Sequence, residues 1–194
     1  MPQLDRVKQA ASALENGKLV VFPTETVYGI GADAHNKETL SRLNELKQRQ
    51  GKPFSFHIAS QSDLKRFNCI VDDTAKKLMK RFWPGPLTLV LRTRLGQEIG
   101  VRMPKHPVAQ ALLKRTKAAV VAPSANFKAK DPAVSAEQAF GDLNGLVDIV
   151  IDAGRTDIGV SSTVLDITKT PPRILRSGSV SKDDIEKTIG RVSE

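Results

Sequence analysis

Apolar positions change period along the chain, and each change marks an element. Leu4, Val7, Ala11 and Leu14 recur at helical spacing, with Gly17 placed as a C-cap. Lys18–Phe22 reads as a buried strand stopped by Pro23. Leu40, Leu43 and Leu46 mark a second helix that ends near the basic Lys47–Arg49. Phe54–Ile58 alternates like a strand, Ser62 opens a short helix, and Asp73–Phe82 forms another with Leu78, Met79 and Phe82 inward. After a turn at Trp83–Pro86, Leu87–Leu91 and Ile99–Met103 read as strands. Pro107–Lys114 is helical, with proline near its first position, and Ala118–Ala122 is a buried strand. VDIVID, SSTVLDI and RIL give later strands, and Lys182–Ile189 a closing helix.

Strands and helices interleave without repeats or low-complexity linkers, which predicts a single α/β domain over residues 1–194. Several strands follow one another with no helix between them, so a mixed open sheet with flanking helices is expected rather than a purely parallel one.

Composition narrows the partners. With 40% hydrophobic and 26% charged residues, the chain has material for a core. A net charge of +9 favours polyanions: nucleotides, RNA, DNA or an anionic membrane face. A basic protein with no such partner is the alternative. Cys69 is the only cysteine, which excludes an intramolecular disulfide and a cysteine-based zinc site, and points to a reducing, cytoplasmic setting. The N-terminal stretch lacks the apolar core of a signal peptide, and no run approaches the ~20 residues of a membrane span.

The common nucleotide motifs are absent. There is no P-loop, Gly29 and Gly31 lack the third glycine of the dinucleotide fingerprint, and no G-x-S-x-G elbow or H-E-x-x-H pair occurs. Four polar loops remain as candidate site walls, since ligands bind at strand ends in open α/β sheets. Pro23–Gly31 offers the hydroxyls of Thr24 and Thr26 beside glycines, and reads equally as a capped turn. Lys47, Arg49 and Lys52 surround a Gly-Pro bend and suit phosphate, though a solvated helix end explains them alone. On the following strand, His57 shares a face with Ser55, opposite Phe56. Arg102 stands between apolar neighbours and requires either an internal carboxylate or an anionic ligand. Ser124 and Asn126 follow a buried strand as an anion nest or a helix cap. Ser162 and Arg176 sit in two further polar stretches.

Taken in order, FPTETVYGIGADA, LKQR…KPFSFHIAS, WPGPLTLVL, VRMPKHP, APSANF, SSTVLDI and RILRSGSV resemble the YrdC/TsaC family of threonylcarbamoyl-AMP synthases, over about Ala10 to Val180. The resemblance implies a YrdC-like twisted open sheet around a positive cavity. It implies a nucleotidyltransferase that makes threonylcarbamoyl-adenylate and pyrophosphate from L-threonine, bicarbonate and ATP. The product serves N6-threonylcarbamoyladenosine formation in tRNA, through a threonylcarbamoyl-transferase complex. Mg²⁺ accompanies ATP, with no dedicated metal site on the protein, and affinity for tRNA or double-stranded RNA is expected. By position, Arg49 and Lys52 face the phosphates with Lys47 in support. Ser124, Asn126 and Arg176 contact the nucleotide, and Arg49 and Ser124 are the catalytic candidates. Thr26, His57, Arg102 and Ser162 are placed on threonine.

Three departures stand out. The loop after Arg49 is one residue short at RQGKP, SANFKAKD replaces the family's S-A-N-x-S-G, and the extra C-terminal domain of the longer branch is expected to be missing. The alternatives are an RNA-binding module of the same fold without synthase activity, or a paralogue acting on another carbamoyl-type substrate.

Overall fold

A computed structural model describes residues 2–48, 53–127 and 130–194, with side chains from Asp5 onward in the first helix. The elements run α1 (Pro2–Glu15), β1 (Val20–Phe22), β2 (Gly29–Asp33), α2 (Lys37–Lys47), β3 (Phe56–His57), a 3₁₀ helix (Gln61–Phe67), α3 (Asp73–Phe82), β4 (Leu87–Arg92) and β5 (Glu98–Arg102). They continue with α4 (Pro107–Arg115), β6 (Val120–Val121), α5 (Ala136–Leu143), β7 (Ile149–Val150), β8 (Thr163–Asp166), β9 (Arg173–Arg176) and α6 (Lys182–Ile189).

Among the described residues the nine strands form one sheet in the order β7-β1-β2-β6-β3-β5-β4-β8-β9. Pairs β1/β7, β3/β5 and β4/β8 are parallel and the others antiparallel, giving the expected mixed sheet. The two halves of the sheet are covered differently. Around β1 both faces are buried: Val20 and Phe22 pack with α1 and α4, while Leu19 and Val21 pack with α2 and α5. That two-sided burial is why the sequence there is continuously apolar. In the β5-β4-β8-β9 half, Leu87, Leu89, Leu91, Val101 and Leu165 pack against α3 and α6 on one face only. The opposite face carries Thr88, Val90, Gly100, Arg102, Val164 and Asp166, and it borders a cavity.

Helix ends agree with sequence chemistry. Gly17 takes φ +70° after α1, Asp72 and Asn36 accept from backbone N–H groups at the starts of α3 and α2, and Pro107 opens α4. Two expectations change. Pro23–Gly31 is not all loop, because Gly29–Asp33 is a strand antiparallel to β1. Its glycines hide it from propensity, and a Cβ on Gly31 would lie 3.0 Å from the Phe22 ring, so a side chain there would crowd the packing against β1. Helix α5 was not anticipated. It is two turns long, contains Gly141, and starts on the Ser135 side chain, which accepts from Gln138 N–H. Strands β3 and β6 inside the sheet and β7 at its edge are shorter than their apolar runs.

Candidate functional site

Strand alternation sends a row of polar side chains to one sheet face. His57 on β3 pairs in register with Arg102 on β5. The β5/β4 register, Val101 with Leu89, puts Arg102 beside Thr88, and Thr88 pairs with Val164 on β8, just after Ser162. His57 on β3, Arg102 on β5, Thr88 on β4 and Ser162 just before β8 thus line one wall of a cavity of about 630 Å³. Lys47, Ser124, Pro123 and Tyr28 line another part, and Arg176 and Leu175 a third. Among the described lining residues, Lys47, Arg102 and Arg176 are cationic, while Glu98 and Asp166 bring carboxylates.

Arg102 is almost fully buried, and its partner is internal. Its Nη2 lies 2.8 Å from Glu25 Oε1, both side chains being 5% exposed. Neither of those atoms completes a well-directed hydrogen bond, so the pair is held by charge. Arg102 Nε donates to the Gly85 carbonyl (3.3 Å), which the WPGP turn presents. Glu25 Oε2 accepts from Lys105 N–H (3.0 Å), tying the PTET turn to the loop after β5. Of the two partners that the sequence left open for Arg102, the carboxylate is present, and the residue still lines the cavity.

His57 is packed edge-on against Phe22, with ring centroids 6.3 Å apart. Burial, aided by the Arg102 charge, lowers its pKa to about 3, so the imidazole is neutral near pH 7. The Ser55 carbonyl faces Nδ1 at 3.3 Å, which assigns the proton there and leaves Nε2 as an acceptor.

The hydroxyls of PTET mostly build the turn. Thr24 Oγ1 donates to the Val27 carbonyl (2.7 Å) and receives the Thr26 and Val27 N–H groups. Its one proton is thereby used, so Thr26 is the donor in the 2.9 Å bond between the two hydroxyls. Thr26 is fully buried, and Thr24 rather than Thr26 is on the described cavity wall.

Lys47 Nζ donates to the Ser124 carbonyl (2.9 Å) and to the Asn126 carbonyl and side chain. Ser124 Oγ donates to Asn126 Oδ1 (2.6 Å), and Asn126 Nδ2 donates to the Phe127 and Lys130 carbonyls. Lys47 therefore organises the PSAN loop; Ser124 is on the wall and Asn126 stands behind it. Arg176 donates to the Ser162 carbonyl through Nε and Nη2 and to Ser162 Oγ through Nη2 (3.1 Å). Gly178 permits this approach: a Cβ there would fall 2.4 Å from the Ser161 carbonyl oxygen. Arg49 and Lys52, assigned to phosphate, lie outside the described residues.

The structure thus gathers Lys47, His57, Arg102, Ser124, Ser162 and Arg176 on one cavity, with Thr26 and Asn126 just behind its surface. Sequence reasoning gave no site role to Glu25, Thr88 or Ser55, although Ser55 was placed on the His57 face. The signal for Thr88 was a lone hydroxyl within the apolar LTLVL run. A wider hollow of about 810 Å³ lies between α5 and residues 130–134, where Lys130 is already paired with Asp142 at 2.6 Å.

Comparison with known proteins agrees with the residue pattern. A threonylcarbamoyl-AMP synthase of Pyrococcus abyssi is 42% identical over 96% of this chain and 58% of its own length. One from Bacillus subtilis is 41% identical over 96% and 57%. The chain therefore spans less than two thirds of these curated relatives. The crystal structure of P. abyssi Sua5 complexed with L-threonine superposes with a TM-score of 0.91, at 40% identity, covering 97% of this chain and 59% of that one. No helix among the described residues is long and apolar enough to cross a membrane. The Sua5/YciO/YrdC family model, described as "Telomere recombination", matches residues 12–178, and with these identities the chain belongs to that family.

Proposed function

We propose that this chain is an L-threonylcarbamoyl-adenylate synthase acting in the cytoplasm, using L-threonine, bicarbonate and MgATP. The observation that carries the reading is the row His57–Arg102–Thr88–Ser162, which places a guanidinium, a neutral imidazole and two hydroxyls along one cavity wall. A small zwitterion with a hydroxyl is complementary to that set. The likeness to a Sua5 structure holding L-threonine supports the same choice.

In this reading Arg102 meets the amino-acid carboxylate, and His57 Nε2 accepts from the amine. The amine condenses with bicarbonate, losing water, to give an N-carboxylate. Its oxygen attacks the α-phosphorus of ATP and pyrophosphate departs; Mg²⁺ brought with ATP would neutralise charge on the leaving group. Proton traffic is slight, so catalysis rests on positioning and on neutralising gathered negative charge. Ser124, on the loop braced by Lys47, and Arg176 serve the nucleotide, together with Arg49 and Lys52. A threonylcarbamoyl-transferase complex then consumes the adenylate on tRNA.

The test is incubation with ATP, labelled bicarbonate, Mg²⁺ and amino acid. Pyrophosphate release and a labelled adenylate are expected with L-threonine. Release that ignores the amino acid would favour a paralogue acting on another carbamoyl-type substrate. Salt-sensitive RNA binding with no adenylate would favour the RNA-binding module.

A further inference from the structure

Thr88, the second residue of β4, lies between Leu87 and Leu89, is 2% exposed, and lines the cavity. Its Oγ1 lies 3.0 Å from Ser162 Oγ. Ser162 Oγ also accepts from Arg176 Nη2, and a guanidinium can only donate. Two hydroxyls therefore share two protons. One proton closes the bond between them, and the other has no protein acceptor among the described residues.

Arg176 decides which hydroxyl keeps the spare proton. An oxygen that accepts a charge-assisted hydrogen bond becomes a better donor, because hydrogen-bond chains polarise cooperatively. Ser162 accepts from Arg176 and so donates to Thr88. The spare proton is then that of Thr88. The strand register sets this hydroxyl beside Arg102, since Leu89 pairs with Val101 one position further along. Cross-strand neighbours stand about 5 Å apart at Cβ, which suits two groups binding one carboxylate.

We propose that Thr88 is a ligand contact whose hydroxyl donates to a carboxylate oxygen of the amino-acid substrate, alongside Arg102. The polarity of the donation is set by the chain Arg176–Ser162–Thr88. The assignment rests on the threonine-dependent synthase reading above.

The experiment measures threonine and ATP dependence of pyrophosphate release for the wild type, Thr88→Val and Thr88→Ser. It adds inhibition by L-2-aminobutyrate, which keeps the carboxylate and lacks the hydroxyl. Thr88→Val is expected to raise the KM for L-threonine about tenfold, the usual loss for a hydrogen bond to a charged group. The KM for ATP stays unchanged, Thr88→Ser restores the threonine KM, and the 2-aminobutyrate inhibition constant rises in proportion. Thr88→Ala removes the same hydroxyl with less bulk and should agree, should valine disturb the strand. An unchanged threonine KM in folded Thr88→Val overturns the proposal, because Ser162 would then hold the spare proton. Loss for both substrates without rescue by serine assigns Thr88 a structural role. Weakened threonine with unweakened 2-aminobutyrate makes Thr88 a hydroxyl reader, which also overturns it. A wild type with no threonine-dependent release sinks the synthase reading itself, and this inference with it.

Discussion

Glu25 and Arg102 form an ion pair with both side chains 5% exposed, where removing one partner strands a buried charge at a cost of about 3–5 kcal/mol. Burial disfavours charge on the neighbouring imidazole too, and beside the Arg102 cation it keeps His57 neutral. The folded pKa of about 3 lies below the ordinary 6.5, so below pH 6.5 the unfolded chain binds the extra proton. Stability from this residue is complete above pH 6.5 and falls as pH drops towards 3, by about 1.4 kcal/mol per unit. Urea unfolding at pH 7 and pH 5 should show the wild type losing about 2 kcal/mol more than His57→Gln. Equal pH slopes for the two proteins would contradict a buried neutral histidine. The sequence made His57 a candidate through its face of the strand, but its neutrality depends on Phe22 and Arg102, which are distant in the chain.

At the scale of elements, the short strands are positioned by contacts that periodicity does not reveal. Segment 177–180 lies directly on 161–163: Ser179 N–H donates to the Ser161 carbonyl, and Thr163 Oγ1 exchanges hydrogen bonds with the Val180 backbone. Gly178 is the point of closest approach. Gly178→Ala should push the segment off Ser162 and cut pyrophosphate release by about 10²-fold, the scale for an ångström of misplacement. Gly141→Ala, in α5 with open space around its Cβ, should leave the rate unchanged and raise stability slightly. Comparable rates for the two variants would show that segment 177–180 does not position the site. The long helices and β4 were legible because each has one buried face with a clear period. Strand β2 and helix α5 were not, because glycine weakens both signals while tertiary packing retains the elements.

For the whole molecule, the sheet has two differently covered halves, and the cavity exists because one half has a helical layer on a single face. A ligand bound there links to global stability. At 100 times its dissociation constant it adds about 2.7 kcal/mol, or about 5–10 °C in Tm for a chain of this size. Thermal scans with L-threonine should show that rise and scans with D-threonine should not, since the row presents its groups in one handed order. Equal shifts would mean that binding does not use the row.

The sequence by itself determined most of the element types, β2 and α5 excepted, together with the mixed sheet and the family pattern, because hydrophobic period, caps and prolines act over a few residues. It also pointed to most of the polar groups that meet on the cavity. Only the tertiary structure decided that Arg102 is paired with Glu25, that Thr26 is spent on the PTET turn, and that Thr88 stands between Arg102 and Ser162. The Thr26 outcome chooses between two local readings of one turn, while the Arg102 and Thr88 outcomes depend on strand register and burial, which join residues up to about eighty positions apart and leave no local trace in the chain.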